Sequence, residues 1–119
     1  MKKTTILLLS IVIGLCAIGV SFALDVNVDI NNIDEREKKQ GKSIYRAECR
    51  QCHKADSEVG APNLSPDSKV MAHWQEAFTD YSDLECAKEW EKKSEEDLRL
   101  IFLYLYSGAS DSPTPAKCL

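Results

Sequence analysis

The sequence Cys49-Arg50-Gln51-Cys52-His53 brings two thiols and an imidazole together within one short stretch. Cys-x-x-Cys followed directly by His is the attachment signature of a c-type haem. The two thiols have the spacing needed to reach the two vinyl groups of one porphyrin, and the imidazole lies where it can bind the iron. The motif therefore predicts one covalent haem, held by Cys49 and Cys52 and ligated by His53.

Cys-x-x-Cys also occurs in thioredoxin-like redox sites and in zinc sites. No hydrophobic strand pattern precedes Cys49, as a thioredoxin-like fold would require. No second Cys-x-x-Cys or pair of histidines follows at zinc spacing. These features favour haem attachment over both alternatives.

The N-terminus has the pattern of a secretory signal peptide. Lys2 and Lys3 precede an apolar run from Ile6 to Val20, and Ser21-Phe22-Ala23 offers small residues at a cleavage site. We expect residues 1–23 to be removed and the mature protein to be periplasmic or extracellular. The alternative is an uncleaved membrane anchor, because the apolar run nearly reaches the roughly 20 residues that span a bilayer.

The mature chain is short and acidic. The full chain has 119 residues, and its 15 basic and 19 acidic side chains become 13 and 19 without residues 1–23, a net charge near −6. The remaining length corresponds to one domain with a thin core, which a buried haem would stabilise. No basic patch indicates nucleic-acid binding. The negative charge favours redox partners with basic docking surfaces, which meet the protein by electrostatic steering.

The cysteines that remain after haem attachment form a pair. Cys16 lies in the predicted signal peptide and Cys49 and Cys52 are assigned to haem, which leaves Cys86 and Cys118. In an oxidising compartment we expect these two to form a disulfide that ties the C-terminal tail to the body. The loop-entropy model assigns such a bond about 3.7 kcal/mol, less any strain. Two free thiols are the alternative.

Residues 24–33 alternate apolar and polar side chains with period two from Leu24 to Ile30. The pattern predicts an extended segment. Since no second strand pattern follows, we expect a flexible arm between the signal peptide and a domain over residues 34–119. The alternatives are addition to the sheet edge of a partner, self-association between copies of this chain, and attachment to a larger assembly.

The domain is predicted to be all-α. Asp34 and Glu37 predict the start of a helix that ends at the haem cysteines. A second helix is predicted from Pro66 or Asp67 to Phe78, a short third helix over residues 84–92, and a last helix from Ser94 to Gly108. The second helix has an apolar face at helical spacing, which contains Val70, Met71, Trp74, Ala77 and Phe78.

The chain resembles class I cytochromes c over residues 34–108. Gly41, Tyr45 and Cys49 have that family's four-residue spacing of glycine, aromatic residue and first haem cysteine, and Tyr104-Leu105 is similar to its C-terminal aromatic-leucine pair. The resemblance implies a small helical domain wrapped around one haem, with Gly41 where the first and last helices cross closely. Glycine costs a helix about 1 kcal/mol relative to alanine, and a close crossing would explain it.

Gly60-Ala61-Pro62-Asn63-Leu64 is similar to the segment that passes the proximal face of the haem in that family. The resemblance implies that the carbonyl of Pro62 accepts a hydrogen bond from the His53 ring and that Leu64 packs against the porphyrin. An acceptor of this kind sets which ring nitrogen binds the metal. Trp74, on the apolar face of the second helix, is expected to line the haem pocket.

The sixth iron ligand is where the chain departs from the family. The distal methionine of class I cytochromes c usually lies between the third and last helices, where this chain has none. Met71 is the only methionine of the mature chain and lies on the apolar face of the predicted second helix, so we favour it. His73 is the alternative, and since residues two apart on a helix point about 200° apart, both cannot face the iron. An open sixth position is the third option.

Two functions follow from these features. The first is a single-haem electron carrier between extracytoplasmic redox partners, without enzyme activity, whose axial ligands and burial set the potential. The second is a haem protein with an open distal site that binds a small ligand or acts as an accessory redox subunit. We expect the first. No further cluster of His, Asp, Glu or Ser indicates a hydrolytic or transfer site.

Overall fold

A computed structural model describes residues 24–82 and 84–116. This part of the chain contains the helices α1 (Glu35–Ile44), α2 (Met71–Thr79), α3 (Ala87–Glu91) and α4 (Glu95–Ser107). It contains no β-strand, which agrees with the predicted all-α class. None of the helices in the two described ranges is long and apolar enough to cross a membrane. The predicted signal peptide, residues 1–23, lies outside the described residues.

The helices α1 and α4 begin where the sequence predicts. The carboxylate of Asp34 accepts hydrogen bonds from the backbone N–H groups of Arg36 and Glu37, at 2.7 and 3.3 Å. The hydroxyl of Ser94 accepts one from the N–H of Asp97 at 3.1 Å. These caps satisfy N–H groups that have no partner within the helix, so local sequence determines both starting points.

Helices α1 and α4 cross in direct backbone contact at Gly41. A side chain at this position would place its Cβ 1.9 Å from the carbonyl oxygen of Leu100 and 3.0 Å from the Cβ of Tyr104. Only glycine lets the two backbones approach so closely. The close crossing implied by the resemblance to class I cytochromes c is therefore present. Arg99 of α4 adds an ion pair with Glu37 of α1, with 2.6 Å between nitrogen and oxygen.

Helix α4 supplies most of the core. Phe102 is completely buried, and its ring centroid lies 5.3 Å from that of Phe78 on α2 and 5.1 Å from that of Tyr106. Trp90 of α3 contacts Phe78 from another side, with 4.6 Å between ring centroids. Aromatic side chains from three helices thus form one cluster. The helix that carries Trp90 is shorter than the predicted one over residues 84–92.

The predicted start of the second helix is wrong. Pro66–Ser68 form a separate 3₁₀ turn, and the backbone is extended at the next two residues before α2 begins at Met71. The C-terminal segment explains the break, because the N–H of Ser110 donates to the carbonyl of Lys69 at 3.0 Å. The carboxylate of Asp111 then accepts a hydrogen bond from the N–H of Met71 at 2.7 Å. A residue distant in sequence therefore caps α2.

Residues 24–33 pack along their own domain. Val26 is buried, and the side-chain amide of Gln75 on α2 donates to its carbonyl at 2.9 Å. Other apolar residues of the segment lie partly buried against the same core: Leu24, Val28, Ile30 and Ile33. The segment has no regular secondary structure before Ile30, forms a 3₁₀ turn over Ile30–Asn32, and packs its apolar side chains on the domain, whereas we expected a flexible arm. Pairing of this segment between copies of the chain stays a prediction.

The segment after α4 folds back over the end of that helix. The N–H of Ala116 donates to the carbonyl of Gly108 at 2.9 Å. A Cβ at Gly108 would lie 2.6 Å from the Cβ of Pro66 and 3.1 Å from the Cβ of Ala116, so glycine makes room for both segments. Cys118, the predicted tether of this tail, lies outside the described residues.

Candidate haem-attachment site

The chain leaves α1 through a turn that is wider than an α-turn. Tyr45–Cys49 form a π-helical segment that continues from α1, closed by a hydrogen bond of 2.9 Å from the N–H of Arg50 to the carbonyl of Tyr45. Such segments are rare and are frequently found at functional sites. The N–H groups of Cys52 and His53 then both donate to the carbonyl of Cys49, at 3.2 and 3.0 Å. The two thiols and the imidazole therefore lie on one compact turn at the end of the helix.

Cys49 and Cys52 are half-buried thiols without a disulfide. Burial raises the pKa of the Cys49 thiol to about 11, against the opposing effect of the Lys93 ammonium. Cys86 is also half-buried, and its expected partner Cys118 lies outside the described residues, so that disulfide stays a prediction. Two unbonded thiols at this spacing are what attachment to a porphyrin requires.

The ring of His53 is held by the loop that follows it. Its Nδ1 donates a hydrogen bond to the carbonyl oxygen of Pro62 at 2.8 Å. Since a carbonyl oxygen only accepts, Nδ1 carries the proton, and the lone pair of the neutral ring lies on Nε2. The contact expected from the Gly60–Leu64 segment is therefore present, and Nε2 remains available to a metal.

Hydrogen bonds to Leu64 hold the same loop against the helix. The N–H of Leu64 donates to the carbonyl of His53 at 3.2 Å, and the carbonyl of Leu64 accepts a hydrogen bond from the hydroxyl of Tyr45. The loop reverses through left-handed backbone at Asp56 and Gly60, with φ angles of 62° and 70°. Aspartate and glycine adopt this conformation more readily than most residues. Burial raises the pKa of Tyr45 to about 12, so its phenol stays protonated and keeps donating to the loop.

The α2 residues assigned to the haem pocket or to the iron have different surroundings. Trp74 is buried, and its indole N–H donates to the carbonyl of Pro66 at 2.8 Å. Met71 is half-buried and packs against the apolar core, whereas His73 is exposed. These opposite surroundings agree with the rotation between residues two apart on a helix. The sixth ligand stays a prediction, in which the more enclosed Met71 is preferred to His73.

Sequence reasoning did not connect the segment around α3 with this site. Lys93, which follows α3, forms an ion pair with Glu48 at 2.9 Å, directly beside Cys49 in the chain. Cys86, which precedes α3, is close enough to Cys49 to contribute to the rise of its pKa. Both residues are distant from the motif in sequence, and the cysteine pairing that singled out Cys86 gave no sign of its closeness to Cys49, so no local signal could have placed either residue at this site.

Comparison of this chain with protein-family models, curated proteins and solved structures gives no match. The assignment of the site therefore rests on its own residues. They provide two unbonded thiols at the attachment spacing, an imidazole with Nε2 available, and an acceptor that orients the ring through Nδ1. This donor set fits a covalently attached haem.

Proposed function

We propose that the protein is a single-haem c-type cytochrome that transfers electrons between redox partners outside the cytoplasm. The observation that carries the proposal is the hydrogen bond from Nδ1 of His53 to the carbonyl of Pro62, in a chain where His53 directly follows Cys-x-x-Cys. Histidines that bind metals nearly always donate their other ring N–H to an acceptor of this kind. The contact supports a ligand role for His53 on grounds of geometry, in addition to the motif.

Each residue of the site has a distinct role in this proposal. Cys49 and Cys52 would hold the haem through two thioether bonds; addition of an S–H group across a vinyl group would form one C–S and one C–H bond each and would need no oxidant or reductant. His53 offers Nε2 to the iron, while Pro62 holds the ring orientation and makes the imidazole a stronger donor. Leu64 provides an apolar contact for the porphyrin. When bound, the haem supplies a one-electron ferric–ferrous couple, and we expect no enzyme activity.

Export belongs to the same proposal. The predicted signal peptide indicates an oxidising compartment, either the periplasm or the cell exterior, where we expect the Cys86–Cys118 disulfide to form. Membrane association would arise only if the signal peptide stayed uncleaved. Peptide mapping of exported protein without reductant should show a Cys86–Cys118 cross-link, and two free thiols would contradict the disulfide.

Extraction of the denatured protein tests covalent attachment. The haem should stay on the chain after treatment with acid and organic solvent, and mass spectrometry should place one haem on the peptide that contains Cys49 and Cys52. The matched control is the double variant Cys49→Ala/Cys52→Ala, whose haem should leave with the solvent. Wild-type protein that loses its haem to the solvent, or that contains none, would refute the proposal.

Spectroscopy of two variants tests the sixth ligand. Thioether ligation by Met71 should give a weak ferric charge-transfer band at the red end of the spectrum, which Met71→Ala abolishes and His73→Ala leaves. A wild type without this band, whose low-spin spectrum becomes high-spin in His73→Ala, would be a bis-histidine electron carrier. A wild type that is already high-spin and binds carbon monoxide without displacing a ligand would replace electron transfer by the ligand-binding alternative.

A further inference from the structure

We propose that the solvent-facing side of the first helix is a docking surface for an acidic redox partner, an inference that rests on the proposed cytochrome function. Five exposed cations, here named the basic face, follow one another three or four residues apart: Arg36, Lys39, Lys42, Arg46 and Arg50. Residues at these spacings share one side of a helix. The basic face extends about 21 Å at the helical rise of 1.5 Å per residue.

None of the five cations of the basic face forms an ion pair with a residue in the described ranges 24–82 and 84–116, although other cations of the protein do. The acidic side chains between Glu35 and Cys49 form ion pairs with cations outside the basic face: Glu35 with Lys38, Glu37 with Arg99, and Glu48 with Lys93. The carboxylates of this stretch are therefore paired with cations outside the basic face.

A helix does not gain stability from this arrangement. Like charges one turn apart repel each other, and Lys42, Arg46 and Arg50 are spaced in that way. The chain as a whole has 19 acidic and 15 basic residues, so acids are the commoner charged side chains. An acid at one of these exposed positions would turn repulsion into attraction. The gathering of cations on one side of an acidic protein points to an anionic partner for that side.

The basic face leads directly to the haem-attachment turn. Arg50 lies within the Cys-x-x-Cys-His motif, and Arg46 lies on the π-helical segment that precedes it. Lys42 and Arg46 also line a shallow surface depression together with Asp67 and with Tyr104 of α4, so one carboxylate lies beside this part of the basic face. A partner bound along this side would reach the haem-attachment turn, and electron transfer between two proteins requires such proximity.

The partner we assign is an acidic patch on another protein. Ile44 and Tyr45 turn towards the core, and the large exposed apolar side chains of residues 24–82 and 84–116, Val59 and Leu84, lie outside the basic face, which therefore has little of its own to insert into a membrane. Nucleic acids and anionic bilayers carry dense, continuous charge, which the net charge of −4 opposes. A limited acidic patch meets the basic face locally, and such complementarity governs the orientation and the rate of association. Net charge alone favours a basic partner, but the distribution of charge favours an acidic one here.

Hexaglutamate is a suitable probe, because six extended residues span about 20 Å, the length of the basic face. Its titration into the 15N-labelled holoprotein should shift backbone amides of the first helix, with a dissociation constant that rises about tenfold between about 20 and about 200 mM salt. The variant Lys42→Glu/Arg46→Glu should bind about tenfold more weakly or worse. The matched control Lys88→Glu/Lys92→Glu makes the same change in net charge at exposed positions in and beside α3. It should keep the wild-type affinity within about twofold.

Three results would overturn the docking surface. They are equal loss of affinity in both variants, binding of hexalysine in place of hexaglutamate, and sedimentation with phosphatidylglycerol vesicles in place of peptide binding. A pyridine haemochrome assay of the same samples separates this inference from the cytochrome proposal. Hexaglutamate binding by a chain without haem would refute the cytochrome and, with it, the redox nature of the partner. A haem-loaded chain that ignores hexaglutamate would refute the docking surface alone.

Discussion

Helix α4 and the loop from His53 to Leu64 differ in how much of each is buried. Eight of the 13 residues of α4 are buried, whereas no residue between 53 and 64 is. The loop is held instead by hydrogen bonds, from His53 to Pro62 and from Tyr45 to Leu64. Apolar burial contributes more to stability than a few partly exposed hydrogen bonds, which mainly orient groups. The difference teaches that this domain is stabilised by one helix and carries its chemistry on another segment.

Truncation of Phe102 should have the largest effect on stability. A smaller effect would contradict the comparison between α4 and the loop. The ring is completely buried among other aromatic side chains, so Phe102→Ala removes apolar contacts and leaves a cavity. We expect a loss of about 4 kcal/mol in the free energy of unfolding, measured by urea denaturation of the holoprotein. Phe102→Leu is the control and should lose clearly less. A loss below that of Tyr45→Phe or His53→Ala, the two variants of the loop contacts described below, would show that α4 is not the stabilising element.

Gly41→Ala should have the next largest effect. The new Cβ would lie 1.9 Å from the carbonyl oxygen of Leu100, so the two helices must move apart. Overpacking of this kind should cost about 3 kcal/mol in the same urea experiment. Gln40→Ala, at the exposed neighbouring position, is the matched control and should be nearly neutral. An unchanged denaturation midpoint for Gly41→Ala would contradict the close crossing of α1 and α4.

Tyr45→Phe tests the hydrogen bond that connects the first helix with the loop. The free energy of unfolding should fall by about 1 kcal/mol near neutral pH, because the carbonyl of Leu64 loses the hydroxyl that donates to it. The pKa of Tyr45 is raised from 10.0 to about 12, mainly by burial. A raised pKa means that the folded state favours the protonated phenol. The stabilisation is therefore complete below pH 10 and is lost as the pH rises towards about 12. Urea denaturation across this pH range should show a smaller decline in Tyr45→Phe, and parallel declines would contradict the assignment.

His53→Ala should have the smallest effect on stability and the clearest effect on the haem. The ring is only half-buried and its loss removes one partly exposed hydrogen bond, to the carbonyl of Pro62, so the haem-free chain should lose about 0.5 kcal/mol. Visible spectra should nevertheless show failed maturation or misligated haem, because no other imidazole of the loop can replace Nε2. Replacement of the exposed His73 by alanine is the control for a histidine outside the attachment turn. A normal low-spin spectrum in His53→Ala would remove the proximal ligand from the proposal.

The caps were predictable because they depend on neighbours in sequence, whereas the close crossing at Gly41 was implied by the resemblance to class I cytochromes c. Asp34 and Ser94 bond to N–H groups two or three residues away, so a local pattern contains both partners. The start of α2 was not predictable, because its cap, Asp111, comes from the far end of the domain. The contacts of residues 24–33 with the core were missed for the same reason. An alternating pattern indicates an extended segment but not the surface against which it packs.

The net charge of the protein follows from its sequence, whereas the pairing of its charged side chains follows from the tertiary structure. The sequence by itself determined the net charge, the haem-attachment motif, the caps of α1 and α4, and the glycine that permits their crossing, since each depends on composition or on short-range hydrogen bonds and spacing. Only the tertiary structure decided which acids neutralise which cations, because Glu37 and Glu48 pair with Arg99 and Lys93 from distant parts of the chain. These pairings leave the five cations of the basic face without an ion pair in the described ranges 24–82 and 84–116. The return of Pro62 to His53 is likewise a tertiary result, because a ring nitrogen and a backbone carbonyl nine residues apart meet only when the loop between them closes.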